Sequence, residues 1–176
     1  PRSTLFPYTT LFRSFIEKQI PNHEKVIELA KKLLSKYDGK IEFPTDVALN
    51  NDGKRYGTNV ENLPDKYPLF DIGVDTLVRY IQIIESAGTV IANGPMGVFE
   101  DSEFATGTNE IFSAISKNKG MTVVGGGETA MAFNQMGLAD GIKHISTGGG
   151  AWISLRSGET MPDLEAMRRS KKRFND

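Results

Sequence analysis

The sequence predicts a three-layer α/β fold, a parallel sheet with helices on both faces. From Leu69 onward, apolar runs of three to five residues alternate with amphipathic helical stretches, the pattern of right-handed βαβ units. Three of the strand-to-helix turns are rich in glycine: Asn93-Gly94-Pro95-Met96-Gly97, Gly125-Gly126-Gly127 and Gly148-Gly149-Gly150. Glycine lets a backbone approach an anion closely, and the first helical turn behind it offers unpaired N–H groups at the positive end of a dipole. In such sheets ligands bind outside the carboxyl ends of the strands, where all three turns fall.

The elements follow in order. Residues 1–14 repeat Thr-Leu-Phe at Thr4 and Thr10 and show no period that continues; Thr4 to Ser14 reads like the translated frame of a sequencing adapter and is set aside from the fold. The expected natural stretch is 15–176, a single domain truncated on its N-terminal side. Asn22 is a candidate N-cap, with Lys25 where a capping-box Glu would stand, and Val26, Leu29, Ala30, Leu33 and Leu34 recur at helical spacing up to Asp38-Gly39. A buried strand is expected over Ile41–Leu49, interrupted by Pro44, then a polar turn at Asn50-Asn51-Asp52-Gly53. The stretch to Leu69 reads as a loop at the sheet margin, because Pro64 and Pro68 discourage helix.

Leu69–Gly73 reads as a strand, and a helix starts at Asp75 or Thr76 and runs through Leu77, Val78, Ile81, Ile84 and Ala87. Strands follow at Thr89–Ala92, Met121–Val124 and Ile142–Ile145. Helices are expected from Glu103 or Thr108 to Lys117, over Thr129–Met136, and for a turn or two over Gly149–Leu155. Met161 to Asp176 sets Leu164 and Met167 against a cluster of Arg168, Arg169, Lys171, Lys172 and Arg173, the pattern of a solvated terminal helix in preference to a phosphate-binding patch, with docking against a further domain as the other reading.

Composition narrows the function. A formal net charge of -1 gives no general attraction to nucleic acid or to an acidic membrane, so an anion site must be built locally. With no cysteine, thiol nucleophiles and Cys-based metal sites are excluded, and two isolated histidines, His23 and His144, cannot make a zinc cluster. The apolar runs are far shorter than a membrane span, and the default location is cytoplasmic.

Each turn has a plain reading beside the functional one. Gly125-Gly126-Gly127 alone can simply let helix and sheet pack closely, and on spacing the two readings are even. Glu128 adds a detail, since a carboxylate at a helix start repels a bare phosphate but suits one with a Mg²⁺ between them. Ser146-Thr147 ahead of Gly148-Gly149-Gly150 supplies hydroxyls and N–H groups with no acid, more than a cap requires. Asn93 to Glu100 couples an amide, a rigid proline and an acid; Met96 and Val98 could wall a base or ribose, with Glu100 on the ribose hydroxyls. No P-loop motif occurs.

Taken together and in order, NGPMGVFE, FATGT (Phe104 to Thr108), VVGGGET and HISTGGGA resemble the C-terminal nucleotide-binding domain of phosphoglycerate kinases, closest to the archaeal-type branch. FPTDVAL, the Asp71–Gly73 segment and MPDLEAM match as well. The resemblance implies a Rossmann-like domain of a two-domain cytosolic glycolytic enzyme, a monomer or small homo-oligomer. Such an enzyme moves a phosphoryl group reversibly between 1,3-bisphosphoglycerate and ADP, giving 3-phosphoglycerate and Mg-ATP. It implies further that Asn93, Gly94, Pro95, Gly97, Val98 and Glu100 bind adenosine, that Gly126, Gly127, Glu128 and Thr129 lie near the nucleotide phosphates, and that Glu128 contacts Mg²⁺. Gly148, Gly149 and Gly150 match the helix start that faces the transferring phosphoryl group. Many relatives have Asp where this chain has Glu128, and the extra methylene displaces the carboxylate.

The resemblance also puts the 3-phosphoglycerate site in an upstream domain and the phosphate-binding lysines in the first part of the nucleotide domain, both absent from this sequence. The chain alone is therefore expected to be inactive. The alternatives are a non-catalytic adenine-nucleotide-binding module and, more remotely, a dinucleotide-dependent oxidoreductase, which should show G-x-G-x-x-G where neither triplet has that spacing.

Overall fold

The computed structural model describes residues 23–63, 66–146, 148, 151, 154, 157–158 and 160–174. The chain divides into two compact units. One runs to Ile83 and takes in Met96–Ile111; the other comprises Ile84–Pro95 and the chain from Phe112 onward.

In the first unit, α1 (His23–Lys36) precedes β1 (Asp46–Asn51), β2 (Lys54–Asn59) and β3 (Leu69–Ile72). The sheet order is β2-β1-β3, antiparallel throughout, so β1, expected as a buried strand, is the centre of an antiparallel sheet, and Leu69–Ile72, expected to open the parallel series, is its edge. The cause is local. Asn51 pairs with Lys54 across a two-residue loop in which Asp52 (φ 51°) and Gly53 (φ 83°) both adopt positive φ, the turn type whose twist returns a strand alongside its predecessor. The stretch expected to be loop thus contains β2. Its polar sequence, KRYGTN, gives no apolar alternation because it is an exposed edge. β1 starts after Pro44, later than expected, since proline has no N–H for a ladder. Val47, Leu49 and Val60 form its core with Leu63 and Tyr67 packed against them, and Phe70 meets Phe104 edge-on at 4.9 Å.

Two polar networks tie this unit together. Asp46 of β1 caps the start of α2 (Val74–Ser86): its carboxylate accepts from Thr76 N–H at 2.7 Å, Asp75 N–H at 3.0 Å and the Thr76 hydroxyl at 2.6 Å. Burial pushes the Asp46 carboxyl up, but these bonds outweigh it and hold the group below its ordinary value. The fully buried Asp71 accepts from Arg55 Nη1, Ile72 N–H and Gly107 N–H, each at 2.8 Å, which joins β2, β3 and the start of α3 (Thr106–Lys117).

The second unit is built on a three-stranded parallel sheet, β4 (Thr89–Ala92), β5 (Met121–Gly125) and β6 (His144–Ser146), in that order, flanked by helices as the fold class requires. Helix α4 (Gly127–Gln135) packs on β5 and β6. Its Phe133 stacks on Phe112 of α3 with centroids 4.1 Å apart, and neither ring has solvent access. Burial of one such ring is worth roughly 1.5–3 kcal/mol. The buried Asn118 bonds the Ile84 and Ala87 carbonyls and the Gly120 N–H, fixing the entry to β5. Ala151, Ser154 and Ser157 are helical, and α5 (Pro162–Phe174) is the expected terminal helix. No helix among the described residues is long and apolar enough to cross a membrane.

Candidate functional site

Parallel pairing sets the ends of β4, β5 and β6 level with one another. Ala92 lies opposite Val124, Val124 opposite Ile145, and Gly125 opposite Ser146. The turns that follow leave from one edge, the carboxyl edge, where side-by-side strands stand about 4.8 Å apart. Two hydrogen bonds join them. Gly126 N–H donates to the Ser146 carbonyl at 3.1 Å, linking the second turn to the third, and Gly94 N–H donates to Thr129 Oγ1 at 2.9 Å, linking the first to the second.

Gly126 has φ 101° and ψ 137°, a conformation that side chains rarely adopt. That rotation lets β5 turn into α4 within one residue, and Asn93 Nδ2 sits where the face of Gly126 is bare. Because the Gly126 N–H is spent on Ser146, the donors without a partner among the described residues are those of the first turn of α4, where Gly127, Glu128 and Thr129 have no carbonyl one turn back within the helix. Gly127 and Glu128 are exposed, whereas Thr129 is 3% exposed. The N-cap residue is Gly126, and among the described residues no side-chain cap bond is made there. The turn after β6 is described only in part: Gly148 is exposed and its N–H reaches Ser146 Oγ at 3.4 Å, while Gly149 and Gly150 lie outside the described residues.

The remaining expected residues belong to the first unit. Gly97 rests on the backbone of Phe70 and Asp71, Val98 N–H donates to the Phe70 carbonyl at 2.8 Å, and Met96 N–H donates to Thr108 Oγ1 at 3.1 Å. Val98 and Glu100 are exposed. Among the described residues no group of three or more His, Cys, Asp or Glu side chains is placed to hold a metal ion. A lone exposed Glu128 beside free N–H groups fits a Mg²⁺ that arrives already bound to phosphate oxygens, which needs one or two protein carboxylates and water.

Sequence reasoning missed the Arg55–Asp71 pair. Its one signal was an acid inside the apolar run Leu69–Ile72, which must find a partner once the strand is buried.

The family model for phosphoglycerate kinase matches residues 9–159, most of the chain. The chain belongs to the phosphoglycerate kinase family. The match begins inside the stretch that the sequence alone sets aside. The chain is 46% identical over 162 residues to the phosphoglycerate kinase of Thermoplasma acidophilum, covering 92% of this chain and 40% of the relative. With that of Methanothermus fervidus the identity is 42% over 152 residues, 86% of this chain and 37% of the relative. Among solved structures, phosphoglycerate kinase from Pyrococcus horikoshii OT3 matches at a TM-score of 0.79 and 36% identity, covering 91% of this chain and 40% of that one. The enzyme from Coxiella burnetii matches at a TM-score of 0.74 and 26% identity, covering 88% of this chain and 40% of that one. The chain thus spans about 40% of the length of the phosphoglycerate kinases it matches.

Proposed function

We propose that this chain is the C-terminal nucleotide-binding portion, residues 15–176, of a cytosolic phosphoglycerate kinase. The whole enzyme would transfer a phosphoryl group reversibly between 1,3-bisphosphoglycerate and ADP, giving 3-phosphoglycerate and ATP. The observation that carries the reading is the common edge of β4, β5 and β6, where the turns at Asn93, Gly126 and Gly148 are joined by hydrogen bonds and free helix N–H groups stand beside Glu128.

In this reading Asn93, Gly94 and Pro95 hold the adenosine, with Gly97, Val98 and Glu100 assigned to it by the family resemblance. The Gly127 and Glu128 N–H groups meet the nucleotide phosphates, Gly126 supplies the turn, and Glu128 stands toward Mg²⁺. Magnesium, when bound with the nucleotide, neutralises phosphate charge. Gly148, with Gly149 and Gly150, faces the phosphoryl group in transfer. Such a reaction asks the protein mainly for alignment and preorganised donors, which backbone amides provide without reorganising. The acceptor site for 3-phosphoglycerate belongs, by resemblance, to a part of the enzyme that this sequence does not contain. The chain alone is therefore a nucleotide-binding module without turnover.

Titration calorimetry with Mg-ADP tests this. Saturable one-to-one binding is expected, together with no phosphoryl transfer in an assay supplied with ATP and 3-phosphoglycerate. Absence of binding at millimolar Mg-ADP to folded protein would overturn the reading. Glu128→Gln should reduce the affinity gained from magnesium while leaving metal-free ADP binding unchanged.

A further inference from the structure

We infer that the Asp71 carboxylate, with Arg55 as its counter-charge, is the positioning group that sets the backbone of Met96–Val98, the stretch assigned to adenosine. Asp71 has no solvent access, and its side chain is wedged between two backbones. A Cβ on Gly107 would collide with Asp71 Oδ1; one on Gly97 would collide with the Phe70 carbonyl oxygen and stand 2.9 Å from Asp71 Oδ1. The two glycines therefore leave room for one carboxylate, which fills the space between the start of α3 and the end of the first glycine turn.

The hydrogen bonds show what that carboxylate holds. Its Oδ2 accepts from Gly107 N–H and its Oδ1 from Ile72 N–H, each at 2.8 Å. Thr108, next to Gly107, accepts from Met96 N–H through its buried hydroxyl at 3.1 Å, and Phe70, next to Asp71, accepts from Val98 N–H at 2.8 Å. Met96 and Val98 thus hang from the neighbours of the two residues that the carboxylate joins, with Gly97 pressed against Asp71 between them. Arg55 closes the arrangement from β2. One guanidinium nitrogen donates to Asp71 Oδ2 and the other to the Ile72 carbonyl, both at 2.8 Å, and its N–H donates to Glu103 Oε1 at 3.2 Å. A buried carboxylate stays charged and in place only with such a partner, so the polar edge strand carries the cation on which the clamp depends.

The consequence for adenosine rests on the proposed function, whereas the clamp itself does not, and the experiment separates them. Amide hydrogen exchange at Met96 and Val98 is measured on the full chain for wild type, Asp71→Asn and Arg55→Gln. Val60 is the reference: its N–H bonds the Thr45 carbonyl at 3.0 Å in the same unit and shares no partner with Asp71. Adenosine and Mg-ADP are titrated into the same folded proteins. Asparagine keeps the shape of Asp71 and removes its charge; glutamine removes the cation. In both variants Met96 and Val98 should exchange about fivefold faster or more relative to Val60, the scale of one lost hydrogen bond. Adenosine carries no phosphate, so displacement of Met96–Val98 should weaken adenosine and Mg-ADP by the same factor.

Exchange at Met96 and Val98 that only keeps pace with Val60 overturns the inference, because a group that merely keeps the unit folded acts on all three amides alike. A loss of affinity confined to Mg-ADP also overturns it. Should Asp71→Asn fail to fold, Arg55→Gln still decides, since that side chain is 21% exposed on an edge strand. If folded wild type binds neither ligand, the proposed function fails, and the Met96 and Val98 amides still report on the clamp.

Discussion

Two carboxylates of the first unit bear structural load that their place in the sequence only hints at. Removing the Asp71 carboxylate leaves the Ile72 and Gly107 N–H groups facing an acceptor that is gone at a fully buried position, and takes the ion-pair partner from Arg55. Asp71→Ala should therefore cost about 3–5 kcal/mol, the range for breaking a buried ion pair from one side, read as a fall in the urea midpoint. Asp46 carries a smaller effect with a pH signature. Its folded value lies below its ordinary one, so the capping bonds stabilise the fold above about pH 4, and this contribution is lost as the pH falls through the folded value. Asp46→Asn should lower stability by about 1 kcal/mol at neutral pH, and thermal melts of the two proteins should converge in acid. At the candidate site the glycines and Glu128 were legible because their chemistry is local: a turn after an apolar run, a carboxylate at a helix start. The roles of Gly126 N–H and Thr129 Oγ1 were not, because each is set by a partner some twenty to thirty-five residues away in the chain.

Among the elements, those whose signal is periodic stand where the sequence puts them. Thr89–Ala92 matches in full, and α1, α2, α3 and α4 differ from expectation only at their ends. What the sequence hid is pairing direction. A short apolar run such as Val47–Leu49 has the same appearance in a parallel and an antiparallel sheet, and β2 carries no apolar run at all. The deciding feature was in plain sight as Asp52-Gly53, a dipeptide suited to the two-residue hairpin. If that turn dictates the antiparallel sheet, then Gly53→Ala, which forces a methyl group onto φ 83°, should destabilise by about 1–2 kcal/mol. A Cβ at Gly53 meets nothing within 4 Å, so the loss would come from the backbone alone. Asn in the same position tolerates positive φ and should recover most of the loss, which a side-by-side denaturant titration of Gly53→Ala and Gly53→Asn can establish.

For the molecule as a whole, the balance of charge and apolar surface sets its behaviour in solution. The formal net charge of -1 provides almost no repulsion between copies. Meanwhile α1 leaves Val26, Leu29 and Leu33 exposed at 39%, 57% and 40%, on one side of an amphipathic helix. That spacing is the pattern by which a helix buries a face, yet among the described residues this face remains in water. Concentrated protein should therefore associate through it, and sedimentation velocity should show a weight-average mass that rises with concentration. Salt should not disperse the species, since apolar contacts are not screened, and sulfate should drive association further. Paired substitutions Leu29→Glu and Leu33→Glu place two charges on the same exposed side of α1, and should return the protein to a single sedimenting species with unchanged secondary structure. If wild type sediments as a monomer at every concentration, or if the paired variant associates as strongly, the apolar side of α1 is not what governs association.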